Sequence, residues 1–266
     1  MFKTSVSLRR NVHSQVADRI GLSIMRGEIA PGDALPSEMR ICEMLDVSRT
    51  VVREAIRILS GKGLVESRAK SGTRVRSPEA WNHLDPDVLR WLLETTDLDS
   101  YLAKLFQLRN AVEPAATAMA ATASTTEDRV RLRAAYEGMA AAKTNEAFVA
   151  SDIAFHKTVY FATRNEFFWP IAQMFEITLS PSLTIAATGD HRPRSLIEHR
   201  DVVEAIELRD PEGARRAAVL LLNHSAKDLV RIRGIDPFGS AAIPALASAP
   251  AGCDGIGVAG STEPSA

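Results

Sequence analysis

Asp152 and His156, four residues apart in ASDIAFHKTVY, and His199 in LIEHRDVVEAI carry side chains from which a metal site can be built. Residues at i and i+4 share a helix face. Phe155, Val159 and Tyr160 make the surroundings of that face apolar, so Asp152 and His156 should point into a core. A carboxylate with two imidazoles is a hard-to-intermediate donor set suited to a divalent ion such as zinc, and helical bundles assemble such sets from facing helices. The same spacing suits a hydrogen-bonded Asp-His couple with no ion, and spacing alone leaves both readings open. Water activated on such an ion would suit a hydrolase. No general base or oxyanion-donor motif accompanies it, so the sequence points away from an enzyme.

Residues 31–75, PGDALPSEMRICEMLDVSRTVVREAIRILSGKGLVESRAKSGTRV, hold a second constellation. Ser48 is a good N-cap, and the breakers Gly61 and Gly63 end the helix it opens. Along that helix Val52, Ala55, Ile56 and Leu59 follow i, i+3, i+4, i+7 as an apolar stripe, while Arg49, Arg53 and Arg57 follow i, i+4, i+8 on another face. A short helix from Ser37 to Leu45 precedes it, entered by the Pro31-Gly32 turn and separated by Asp46 and Val47. Two β-prone runs follow, Leu64 to Glu66 and Thr73 to Val75, joined by a basic tip from Arg68 to Gly72. The spacing predicts a winged helix-turn-helix. In such a module the start of the second helix reaches base edges in the major groove, where arginine donates two bonds to guanine. Arg49 and Arg53 are the expected readers. Ser48 and Thr50 suit phosphates at the helix start, Ser37 and Arg40 add contacts from the first helix, and Lys70, Gly72 and Thr73 let the wing approach the duplex. Arg57 fits a phosphate contact or a solvated surface equally well.

The elements that must position these groups differ between the two halves. Residues 1–77 carry 14 basic and 8 acidic side chains, a net of +6, against −7 for the remainder, so the near-neutral whole hides a basic module on an acidic partner. From residue 85 alanine and leucine dominate, and helical periodicity predicts seven helices. They run from Asp85 to Glu94, Leu98 to Thr122, Thr125 to Ala142, Asn145 to Thr163, Glu166 to Ala187 with a kink at Pro181, Arg194 to Leu208, and Pro211 to Arg233. Thr96-Asp97, Ser124 and Asn145 are expected helix starts, and Pro211 suits a first turn. The fold expected is mainly α: a winged helix-turn-helix over 1–76, a linker over 77–84, an all-helical bundle over 85–233, and a disordered tail over 234–266.

Cys42 and Cys253 are too few for a disulfide framework or a cysteine-based zinc site, and Cys42 reads as a small buried residue. No apolar run approaches the ~18 residues of a membrane span, and MFKTSVSLRRN lacks an apolar signal segment, so a cytoplasmic location with no membrane partner is expected. Trp81 and Trp91 suit interdomain and core packing, Trp169 suits the core, and His13 and His83 have no evident partner.

Over about 65 residues the motifs PGDALPSE, VSRTVVREAI, GLV and GTRV resemble the DNA-binding domain of the GntR family of bacterial transcription regulators. One position departs: a basic residue often follows the Pro-Ser-Glu there, and this chain has Met39, with Arg40 lying about 100° around the helix. Residues 85–230 are similar to the FCD effector domain of the FadR-type branch, through LRNAVEPAAT, DIAFH, Asn165 and EHRDVVEAI followed by Asp210 and Ala214. That resemblance implies a divalent metal, zinc or similar, on Asp152, His156 and His199, with Arg109 binding the carboxylate of an effector. It further implies a homodimer that binds double-stranded operator DNA. The branch usually has a third histidine where this chain has Leu221; His224, one turn on, substitutes for it, reaches the effector, or only closes a network. WNHLDPDVLRWLLE with LRNAVEP resembles the sugar-acid-responsive members. This implies a repressor released by a sugar acid, against the alternative of lactate, a tricarboxylate or a hexuronate. Thr184, Thr188 and His191 then join Arg109 and His224 as effector-contact candidates, with loop or core packing an equal reading for the first three.

Overall fold

The computed structural model describes residues 11–68, 72–186 and 192–238, without the side chains of 181–186. In the first part α1 (Val12–Met25), α2 (Glu38–Leu45) and α3 (Arg49–Gly61) are followed by an antiparallel hairpin of β1 (Val65–Arg68) and β2 (Gly72–Val75). The hairpin register pairs Val65 with Val75 and Arg68 with Gly72, and Ala34 bridges to Arg74 on its free edge. The α3 stripe is the centre of this core: Val52, Ala55 and Leu59 are fully buried and Ile56 nearly so. Against it packs α1, an element the motif spacing does not announce, through Val16, Ile20 and Ile24 at four-residue steps.

After a 3-10 turn at Pro78–Ala80 come α4 (Pro86–Thr95), α5 (Leu98–Ala123), α6 (Thr126–Ala141), α7 (Asn145–Ala162), α8 (Trp169–Ala186), α9 (Arg192–Glu207) and α10 (Pro211–Arg233). Polar contacts between helix ends show α5, α7 and α9 running one way and α6 the other. Arg209 donates to the last carbonyls of α5, Arg164 after α7 pairs with Asp128 at the start of α6, and Arg192 at the start of α9 reaches Asn145 at the start of α7. The caps fall one residue from two expected starts: Thr125 closes a capping box with Asp128 on α6, and Thr144 caps α7, in place of Ser124 and Asn145.

The segment expected to be a linker is folded onto the first part. Trp81 donates to the Arg76 carbonyl, Asn82 N–H donates to Lys62, and the Lys62 ammonium lies 2.7 and 2.8 Å from Asp85 and Asp87 at the start of α4. His83, given no partner by the sequence, meets the Pro78 carbonyl at 2.9 Å. Helix α4 serves both cores. Val88 and Trp91 are buried in the N-terminal cluster, Trp91 bonding Asp18 and lying against Gly21, while Leu89 is buried in the bundle cluster and α4 touches α8. Trp169 departs from its expected core place: it is 40% exposed, edge-on to Phe161.

Gly63 turns the chain from α3 into β1 at φ +79°, and a Cβ there would run into the Ala80 carbonyl. Gly63→Ala is therefore expected to cost about 1–3 kcal/mol. Urea unfolding measures it, and a loss below the error of that method would show that the 78–80 turn yields freely.

Candidate functional site: a DNA-facing helix and a buried polar cluster

On the first part the groups expected to meet DNA share one exposed surface. Ser48 caps α3, its hydroxyl accepting from Val51 N–H at 3.4 Å, and Arg49, Thr50, Arg53 and Arg57 are exposed along the helix. Arg49 and Arg53 have no partner among the described residues, whereas Arg57 stands 4.0 Å from Glu54. Ser37 caps α2 by accepting from Arg40 N–H, and the Arg40 guanidinium is held at 3.1 Å by Glu43. Met39 beside it is 54% exposed. Gly72 is exposed on the wing at φ +76°, and Thr73 meets Ser67 at 3.2 Å. Lys70 lies outside the described residues.

In the bundle Asp152, His156 and His199 come together, with a carboxylate oxygen and two ring nitrogens all within 4.8 Å of one another. Asp152 and His156 lie one turn apart on α7 and His199 faces them from α9, all three nearly inaccessible to solvent. Asp152 Oδ1 lies 3.2 Å from His156 Nε2 and 3.2 Å from His199 Nε2. The other ring nitrogens are already committed: His199 Nδ1 donates to the Ser195 carbonyl at 2.7 Å, and His156 Nδ1 faces Glu113 at 3.1 Å. An imidazole whose Nδ1–H is held by an acceptor presents its Nε2 lone pair, the arrangement seen around metal-ligating histidines. Both Nε2 atoms here converge on one carboxylate oxygen, so the residues fit a divalent ion.

Arg109 is 1% exposed and stands next to this set. Its Nε donates to Glu113 at 2.6 Å and its Nη2 lies 3.3 Å from His156 Nε2, while Nη1 has no partner. Burial works against charge on all of these groups, yet their mutual attraction prevails. Glu113 is held down to about 2 by Arg109 and His156, and Asp152 falls below the carboxylate range beside the two histidines. His156, which burial alone would lower, is raised to about 9 by Glu113 and Asp152.

Glu113 is the residue that spacing misses. It reads as an ordinary i+4 partner of Arg109, and only the packing of α5 on α7 shows it also orienting His156. Leu221, 3% exposed, lines a void of about 10 Å³ with Glu113, His156 and Tyr160, room for no more than one water. His224 does not join the three donors. Its Nδ1 is taken by Glu198, which Arg194 also approaches at 3.4 Å. Of the remaining effector candidates, the Thr184 side chain, Thr188 and His191 lie outside the described residues.

Two family models match the chain: the bacterial regulatory proteins of the gntR family over residues 12–75, and the FCD domain over residues 104–224. The galactonate operon transcriptional repressor of Escherichia coli K12 is 33% identical over 230 residues, covering 84% of this chain and 98% of that protein. The HTH-type regulator YieP of the same organism is 32% identical over 225 residues, covering 84% and 97%. Among solved structures, the Lar protein of Listeria monocytogenes shares the fold with a TM-score of 0.58 at 18% identity, over 84% of this chain and 98% of that one. Together with the winged head and the helical bundle, these matches make the chain a DNA-binding transcription regulator of the GntR family, with an FCD effector-binding domain.

Proposed function

We propose that the chain is a dimeric repressor of a sugar-acid catabolic operon, released from its operator when a sugar acid enters the FCD bundle. The observation that carries this is Arg109 Nη1, a buried guanidinium nitrogen without a partner beside the Asp152, His156 and His199 donors. A buried cation with a free donor suits a carboxylate, which arginine pairs with strongly. A divalent ion held by the three donors would supply a Lewis-acid contact to a carboxylate or hydroxyl oxygen of the same ligand. The similarity to a galactonate operon repressor supports the choice of a sugar acid.

In this reading each subunit of a cytoplasmic homodimer places α3 in one half-site of a near-palindromic operator. By linkage, an effector that releases DNA binds the free protein more tightly than the operator-bound one. The test is a gel shift on the full chain at fixed salt, with a panel of sugar and organic acids with and without zinc. Galactonate or a related hexonate should weaken operator binding. If no sugar acid does so, while lactate or a tricarboxylate does, the effector class is wrong.

On the DNA side, Arg53→Ala is expected to lower operator affinity by about 1–3 kcal/mol and to relax sequence preference at one position. Arg57→Ala should change affinity less and leave the preference as it was. Equal effects of the two on specific and unrelated DNA would remove Arg53 from the base-reading set.

A further inference from the structure

A helix on the surface of a bundle turns its charges to water and its apolar side chains inward. Over its last turns α5 does the reverse. Between Leu105 and Ala123 its charged residues are Arg109 and Glu113 alone, and both are buried, at 1% and 4% exposed. The side turned away from them carries Leu108, Ala111, Ala115 and Met119, at steps of three and four. Leu108 is 38% exposed, Ala111 is exposed, and Ala115 and Met119 are half-buried. Lys104 and Thr122, both exposed on the same side, mark the two ends of this strip, about 27 Å apart along the axis.

We propose that a second copy of the chain docks on this strip, resting on the homodimer proposed above, with the two α5 helices antiparallel about a two-fold axis between Ala111 and Ala115. Charge selects this occupant. The chain beyond residue 77 carries a net of −7, so two bundles repel each other over most of their surface, and here each offers the other an uncharged face. An isologous pair centred midway along the strip brings Lys104 of each copy level with Thr122 of the other. The two lysines then stand at opposite ends and no like charges meet. At the crossing the short alanine side chains let the two backbones approach to about 8 Å. With the flanks of the neighbouring helices the strip is roughly 20–25 Å wide, so two copies would cover on the order of 1,200 Å² in total. A specific interface needs about 1,000 Å².

The experiment is sedimentation velocity on the full chain across the micromolar range, with far-UV circular dichroism as the check on folding. Wild type should be a dimer. Ala111→Glu places a carboxylate from each copy beside the axis and should weaken the dimer at least about a hundredfold, leaving a helical monomer. Ala111→Glu with Ala115→Lys in one chain sets each glutamate against a lysine of the other copy and should recover at least about tenfold of that loss. Phe167→Glu, at the most exposed large apolar side chain of the bundle, 83%, should leave the dimer as in wild type. A dimer that Ala111→Glu leaves intact, or that Phe167→Glu splits instead, overturns this inference and leaves the homodimer standing. A monomeric wild type overturns both together. If Ala111→Glu does not fold, the double variant decides: a folded dimer supports the antiparallel pair, and its absence overturns it.

Discussion

An Arg109→Met protein is expected to unfold with about 3–5 kcal/mol less stability than the wild type and to ignore every acid effector while still binding its operator. The loss follows from Glu113, which stays ionised at neutral pH because Arg109 and His156 hold it down to about 2, and which is buried. Removing one member of a buried ion pair leaves the other charge uncompensated, and that costs more than the pair was worth. A double variant, Arg109→Met with Glu113→Gln, should recover much of the stability and none of the effector response. Urea unfolding and operator release read the two consequences separately. A single variant as stable as wild type would mean that Glu113 is satisfied by His156 alone, and one that still releases DNA would take the carboxylate away from Arg109.

Divalent-ion affinity is expected to rise steeply with pH, about tenfold per unit from pH 6 toward 9. His156 lies between Glu113 and Asp152 and keeps its proton up to about 9, although burial alone would lower that value. Ligation through Nε2 must displace this proton, and each unit of pH below the pKa adds about 1.4 kcal/mol to the displacement. Chelator competition at pH 6, 7 and 8 measures the slope, and a flat profile would exclude His156 from the ligands. For the ion-free chain the linkage has the opposite sense. A raised histidine contributes its full stability below its unfolded value near 6.5 and loses it as pH rises through about 9, while Asp152 and Glu113, both depressed, contribute above the carboxylate range and lose it as pH falls. Acid and alkali should therefore both weaken the apo bundle, and bound metal should remove the alkaline arm.

What the sequence shows clearly is what repeats along a single element. The α3 stripe and the arginine row could be read because burial and exposure alternate with the helical period, and Asp152 with His156 because they share one turn. Pairings between elements are not periodic, and there the sequence is nearly silent. Nothing in its spacing tells that Glu113 holds a ring nitrogen of His156 or that Glu198 occupies His224. Trp169 follows the same rule: its hydrophobicity suggested the core, but the chain enters α8 at that residue with the ring still at the surface.

Helix α4 sets where this molecule can be cut. The composition shift and the segment over 77–84 suggest a seam between a portable DNA head and an exchangeable sensor. Yet Val88 and Trp91, beyond that seam, complete the head's interior, and Lys62 at the end of α3 is anchored to Asp85 and Asp87. A head severed at the seam would keep its DNA-reading surface and lose the floor beneath α1. The transplantable unit therefore ends no earlier than Thr95, and any graft of this head onto another sensor carries with it the surface that meets α8.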